Sequence, residues 1–158
     1  MRIIGIDPGT GILGFGVIES SGQKLQMADA GVIRTPANQE DSKRLKTIFE
    51  ELNEIIKQNK PDVMAVEKLF FAKNVTTAMS VAQARGAVLL CGEQNELPIF
   101  EYTPLQVKQA ITGYGKADKA QVQEMVKTIL KLKETPKPDD CADALAVAIC
   151  HSMNGRLA

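Results

Sequence analysis

Residues 1–20 read MRIIGIDPGTGILGFGVIES, and KLQMADAGVIRT follows at 24–35. Ile3, Ile4 and Ile6 form a short apolar run closed by Asp7 and then Pro8-Gly9, the pattern of a buried strand that leaves the core at a turn. Gly9 to Gly11 supply the turn, GFGVIES (14–20) a second strand and residues 24–35 a third. Three consecutive strands with short connections predict an antiparallel meander. A carboxylate at the lip of a core costs free energy unless something positive meets it. Asp7 is therefore either a turn former before Pro-Gly or a ligand for a metal or phosphate. The rest of the chain decides.

DSKRLKTIFEELNEIIKQNK (41–60) sets Leu45, Ile48, Phe49, Leu52, Ile55 and Ile56 on one stripe of an amphipathic helix, with Asp41 or Ser42 as its cap. DVMAVEKL (62–69) is a nearly unbroken apolar strand, as expected at the centre of a sheet. NVTTAMSVAQARGAVLLCGEQN (74–95) predicts a helix rich in small residues, and PIFEY (98–102) another strand. Thr103-Pro104 suits an N-cap followed by Pro at the first helical position, opening a helix that runs to Ile111. The loop GYGKA (113–117) precedes a helix over 118–132, capped by Ala117 or Asp118. Pro136 and Pro138 break the chain before a last helix, DDCADALAVAICHSM (139–153). The order β-β-β-α-β-α-β-α-α-α is that of an α/β protein with a mixed sheet.

The length, 158 residues, predicts a single domain over 1–158 with a sizeable core. With 44% apolar and 24% charged residues, the composition is that of an ordinary globular protein. No apolar run approaches the roughly 20 residues of a membrane helix, and the N-terminus lacks the apolar segment and cleavage site of a signal peptide. Cys91, Cys141 and Cys150 are an odd set without paired spacing, which predicts free thiols in a reducing cytoplasm. A net charge of zero argues against nucleic acid as a partner. Against that, Lys108, Lys116, Lys119, Lys127, Lys131 and Lys133 outnumber Asp118 and Glu124 within 103–133, which leaves room for one basic face.

Glu67 repeats the pattern of Asp7: VMAV carries a strand and an acid ends it. Asp140 and Asp143, three residues apart, share a face in the first turn of the last helix. Acids there suit the helix dipole, and each alone is more often a cap than a ligand. Asp139 also shares a face with Asp143, at i, i+4. Four carboxylates brought together without compensation would repel and raise one another's pKa. Hard cations remove that problem, since Mg²⁺ prefers carboxylate oxygens, and a pair of such ions is the usual apparatus for hydrolysing a phosphodiester. His151 follows Asp140 by eleven residues, about 16 Å along a helix axis, too far to join such a site.

Five blocks in order carry a resemblance. They are IGIDPGT with GFGVIE, then EKLFFAKNVTTAMSVAQARGA, TPLQVKQAITGYGKADKAQVQEMV and DDCADALAVAICH. Along nearly its whole length the chain resembles the RuvC-type Holliday-junction resolvases. The resemblance implies an RNase H-like fold, a five-stranded mixed sheet with helices on both faces. It implies a crossover junction endodeoxyribonuclease of recombination and repair that nicks opposing strands symmetrically and leaves 5′-phosphate and 3′-hydroxyl ends. By position, the family's catalytic and metal-binding acids fall on Asp7, Glu67, Asp140 and Asp143, with Asp140 favoured over Asp139. Two Mg²⁺ per subunit are implied, with Mn²⁺ able to stand in. Phe70 matches the residue that wedges or stacks at the crossover, in keeping with aromatic platforms for unpaired bases. Lys108 and Lys119 match positions that contact DNA phosphates, and Lys116 is a weaker candidate. The implied partners are four-way junction DNA, a second copy in a homodimer, and a branch-migration complex of a junction-binding protein and a ring helicase, with no membrane involved and a bacterial cytoplasm as the setting. The helix at 74–92, with Ala78, Ala82, Ala84, Gly86 and Ala87, resembles the family's dimer helix.

Three rival readings compete with this one. Asp7, Gly9 and Thr10 also fit the phosphate hairpin of actin-like ATPases and sugar kinases, but those need a second such domain. A non-catalytic junction-binding protein would gain by losing acids near DNA phosphates. A nuclease of RNA–DNA hybrids with the same fold explains neither the small-residue helix nor the Phe70 block.

Overall fold

The computed structural model describes residues 1–68 and 75–155. The strands are β1 (Arg2–Asp7), β2 (Ile12–Ser21), β3 (Lys24–Arg34), β4 (Val63–Glu67) and β5 (Ile99–Tyr102). The helices are α1 (Asp41–Asn59), α2 (Val75–Gln94), α3 (Pro104–Thr112), α4 (Lys119–Ile129) and α5 (Asp139–Asn154). The strands form one mixed sheet in the order β3-β2-β1-β4-β5. The β1–β2–β3 meander is antiparallel, while β4 joins β1 in parallel and β5 joins β4 in parallel. This is the expected α/β architecture.

Alternation along the strands assigns the helices to faces. Ile4, Ile6, Met64 and Val66 point to one side with Ile48, Leu52 and Ile56 of α1 and with Ala84 and Val88 of α2. Ile3, Val63 and Ala65 point to the other, against Val107 and Ile111 of α3, Val122 and Val126 of α4, and Leu145 and Ile149 of α5. Helices α1 and α2 thus cover one face, and α3, α4 and α5 the other. Buried apolar surface on both sides makes β1 and β4 the least exposed strands, as their unbroken apolar runs require. The thiols of Cys91, Cys141 and Cys150 are buried and unpaired with one another, and burial pushes all three above the usual thiol range.

Glycines let α5 press onto the sheet. A Cβ built at Gly5 would stand 2.1 Å from the Ala144 carbonyl oxygen, and one at Gly14 would stand 2.1 Å from that of Asp140. Gly16 would meet the Leu145 side chain at 2.6 Å. No side chain fits at any of the three, so the helix rides directly on the backbone of β1 and β2.

The helix starts follow local rules with one correction. Thr103 caps α3 and Asp118 caps α4, each closing a capping box with the glutamine three residues on. The residue ahead of α1 is Glu40, and Asp41 is already helical. Its cap lacks a side-chain hydrogen bond, so neither Asp41 nor Ser42 caps; Asp41 instead places its charge in the first turn, where the dipole favours it. His151 packs in the interior, its Nδ1 2.6 Å from the Tyr102 hydroxyl and its ring against Phe100.

Candidate active site

Asp7 and Glu67 end two adjacent parallel strands, one residue past the last paired positions, Ile6 and Val66. Parallel neighbours deliver their C-terminal ends to the same edge of the sheet, so the acids arrive together without help from a loop. Helix α5 supplies the rest. Asp7 is paired across the meander with Gly14, and Gly14 is where the first turn of α5 touches the sheet. That contact sets Asp140 and Asp143 over Asp7. Carboxylate oxygens of Asp7, Asp140 and Asp143 lie within 4.8 Å of one another, and the Glu67 carboxyl is close enough to raise the Asp7 carboxyl. Of the alternatives at the helix start, Asp140 stands in this group, while Asp139 turns outward to an ion pair with Lys119, 3.7 Å away.

The electrostatics are those of a cation site. Burial, the charges of Glu67 and Asp143, and the hydrogen bond to Glu67 push the Asp7 carboxyl up to about 9. Burial and the neighbouring carboxylates thus favour the protonated form of Asp7 when no cation is bound. Burial also raises Glu67, which Lys108 and Lys119 oppose from the facing side, and burial raises Asp143 against the pull of Lys119. Such a group is unfavourable on its own and favourable around a divalent ion with oxygen ligands. The donor set fits a hard cation.

Two clefts open on the acids, and both are lined by Glu67 and Pro104. The first, about 230 Å³, lies between Glu67 and Asp143 on one side and Lys108 and Lys119 on the other. Lys119 Nζ sits 3.4 Å from Asp143 Oδ2. Two of the three lysines singled out in the sequence therefore meet the acids; Lys116 is exposed and lines neither cleft. Phe70 lies outside the described residues. The second cleft, about 200 Å³, adds Asp7, Lys68 and Arg85. Sequence reading did not single out Lys68 or Arg85, because nothing in their spacing distinguishes them from solvated cations.

The turn after Asp7 is fastened from behind. The Thr10 hydroxyl donates to the Ser80 carbonyl oxygen at 2.8 Å and also meets the Ser80 hydroxyl. Thr35 donates to the Thr10 carbonyl oxygen, and Arg44 Nε donates to Thr35 Oγ1 at 3.0 Å. Thr10 is buried and its hydroxyl is committed to α2, so it is not free for a nucleotide phosphate as the kinase reading required.

A family model described as crossover junction endodeoxyribonuclease RuvC matches residues 3–151. A crossover junction endodeoxyribonuclease RuvC of Halothermothrix orenii is 57% identical over 99% of this chain and 95% of its own. That of Desulfitobacterium hafniense is 56% identical over the same shares. Among solved structures, T. thermophilus RuvC in complex with a Holliday junction substrate superposes with a TM-score of 0.94 at 37% identity, covering 99% of this chain and 96% of that one. With a family model matched over residues 3–151 and relatives above 50% identical over nearly the full length, the chain belongs to the RuvC family of crossover junction endodeoxyribonucleases.

Proposed function

We propose that this protein is a metal-dependent endonuclease that resolves four-way Holliday junctions in recombination and repair by paired symmetric nicks. The observation that carries the reading is the convergence of Asp7, Asp140 and Asp143, with Glu67 ending the adjacent strand beside Asp7, in a chain of this family. Asp7, Glu67, Asp140 and Asp143 would hold two Mg²⁺ ions. Bound there, such ions supply an activated water and charge stabilisation at the leaving oxygen. The residues' own work is then separable. The four carboxylates would present oxygens to the metal from a rigid sheet edge and helix start. Lys119 and Lys108, across the first cleft, attract and orient the phosphodiester and offset the negative charge that grows during attack. Lys116 adds a weaker phosphate contact at the periphery, and Phe70 stacks at the crossover.

The same reading makes the protein a homodimer, because a two-fold assembly presents one site to each of two opposing strands. Helix α2 supports this. Met79 and Leu90 are 61% and 54% exposed, and with exposed Ala82 and Gly86 they form an apolar stripe on the side away from the core. Of the other small residues named for that helix, Ala84 is buried against the sheet, and Ala78 and Ala87 are half-buried beside it. Products would carry 5′-phosphate and 3′-hydroxyl ends, ready for ligation. The same reading gives it a branch-migration complex as partner and a cytoplasmic setting; among the described residues no helix is long and apolar enough to cross a membrane.

The test compares a synthetic four-way junction with linear duplex of the same sequence, each with Mg²⁺ and with chelator. Paired nicks in the junction alone, and only with metal, are the expected result. Junction binding without cutting under every metal tried would leave a binding protein instead.

A further inference from the structure

Arg85 stands on α2 at the wall of the second cleft, facing Asp7, Pro8, Glu67 and Lys68. Among the described residues its partner is Glu101 on β5, reached through Nη2. The pairing is incomplete. Arg85 Nε is buried without a hydrogen-bond partner among the described residues, so a guanidinium that offers a planar fork of donors engages a carboxylate by one arm only. A buried donor left unsatisfied is a cost that a better acceptor would relieve. Glu101 itself is one-third exposed and free to be hydrated once released.

The second cleft also repeats the composition of the first. Each has Glu67 on its wall together with a further acid of the cluster, Asp143 in the first and Asp7 in the second, and each has two cations facing them, Lys108 with Lys119 and Lys68 with Arg85. Glu67 and Pro104 form the ridge between. A strand whose scissile phosphate lies at the acids, faced by Lys108 and Lys119 of the first cleft, has a neighbouring phosphate on each side that those two lysines leave unserved.

We propose that the second cleft is a backbone-phosphate site in which Arg85, released from Glu101, grips the phosphate next to the scissile one on the side away from Lys119, with Lys68 beside it. Glu101 then acts as a built-in competitor that occupies the guanidinium until DNA arrives. This rests on the junction-cleaving reading above, because it takes the scissile phosphate to lie at the four acids.

The two partners of the ion pair give opposite predictions, which separates this role from a purely structural one. Binding of the full-length protein to a synthetic four-way junction is measured with chelator across a salt series, for the parent, Arg85→Gln, Arg85→Lys and Glu101→Gln. Arg85→Gln should weaken binding and make the log–log salt dependence shallower by about one ion, and Arg85→Lys should keep most of that slope. Glu101→Gln should tighten binding several-fold at unchanged slope, because the competitor is gone. If Arg85→Gln and Glu101→Gln lower the melting temperature alike and neither moves affinity or slope, the pair merely ties α2 to β5 and the proposal is overturned. Should Arg85→Gln not fold, Glu101→Gln decides alone: tighter binding supports the site, and equal or weaker binding sinks it. A parent protein that does not prefer junction to duplex would instead defeat the junction reading, an outcome visible before any variant is compared.

Discussion

Lys119 Nζ lies 3.4 Å from Asp143 Oδ2, across the mouth of the cleft that opens on Glu67. The lysine opens α4 and the aspartate stands in the second turn of α5, so the N-terminal ends of two helices meet over the sheet edge. More than half of the lysine side chain is exposed, and the ion pair is worth little as a stabilising contact. Its value is positional. Removing it by Lys119→Ala should slow cleavage by about 10²-fold, the usual cost of losing one aimed donor. The melting temperature should move by no more than about 2 °C. Single-turnover cleavage at saturating protein checks this; Lys119→Arg should recover part of the loss.

Asp7→Asn should abolish cleavage while leaving junction binding intact, since it removes a ligand charge at almost no change in volume. It should also raise stability without metal. The sign follows from the folded state holding a proton that the unfolded chain gives up. Asp7 is raised from 3.8 to about 9, so metal-free stability falls as pH climbs through that window, by up to about 1.4 kcal/mol per unit. Melting curves with chelator between pH 5 and about pH 9 should slope downward for the parent and be flatter for Asp7→Asn. Added Mg²⁺ should stabilise the parent most at the alkaline end and Asp7→Asn little. A parent curve rising with pH would contradict the raised Asp7 carboxyl.

Gly14→Ala should cost more activity than its one methyl group suggests. The new Cβ would sit 2.1 Å from the Asp140 carbonyl oxygen, forcing the first turn of α5 away from Asp7. Mg²⁺-dependent cleavage should fall at least about tenfold, with a drop of about 1–3 kcal/mol in stability from overpacking. A metal titration separates the effects: a displaced Asp140 demands more Mg²⁺ for half-maximal rate.

Gly86 gives the contrasting case. A Cβ there meets nothing within 4 Å of the single chain, so Gly86→Glu should leave the fold of one subunit intact. On the exposed stripe of α2 it should instead break the proposed dimer. Sedimentation at micromolar concentration should report a monomer of near-parental melting temperature, and junction cleavage should lose its pairing of nicks.

Much of this could be read in the sequence because the signals were local. The meander follows from alternating apolar runs between turns, Thr103 and Asp118 announce their helices by capping boxes, and acids closing Ile3–Ile6 and Val63–Val66 mark strand exits. Asp140 against Asp139 could not be decided by spacing, since either shares a face with Asp143. The choice is made by where α5 lands on the sheet, and that depends on Gly5, Gly14 and Gly16. The cap of α1 was misplaced because Asp and Ser next to each other both suit the position and the boundary falls one residue earlier. Arg85 was invisible for another reason: its meaning lies in a half-made bond to Glu101, 16 residues away on another element.

Helix α5 is buried almost from end to end, from Cys141 through Ser152 with only Asp143 turned partly outward. Local opening events spare such elements and engage them only when the whole fold lets go. Two of the four acids are carried on it, and the other two end the central strands beneath. The acid cluster therefore has no separate softening transition: amides of α5 and β1 should exchange hydrogen together, at the rate of global unfolding. Exposed positions on α2, α3 and α4 can therefore change while the acid cluster inherits the full cooperativity of the core.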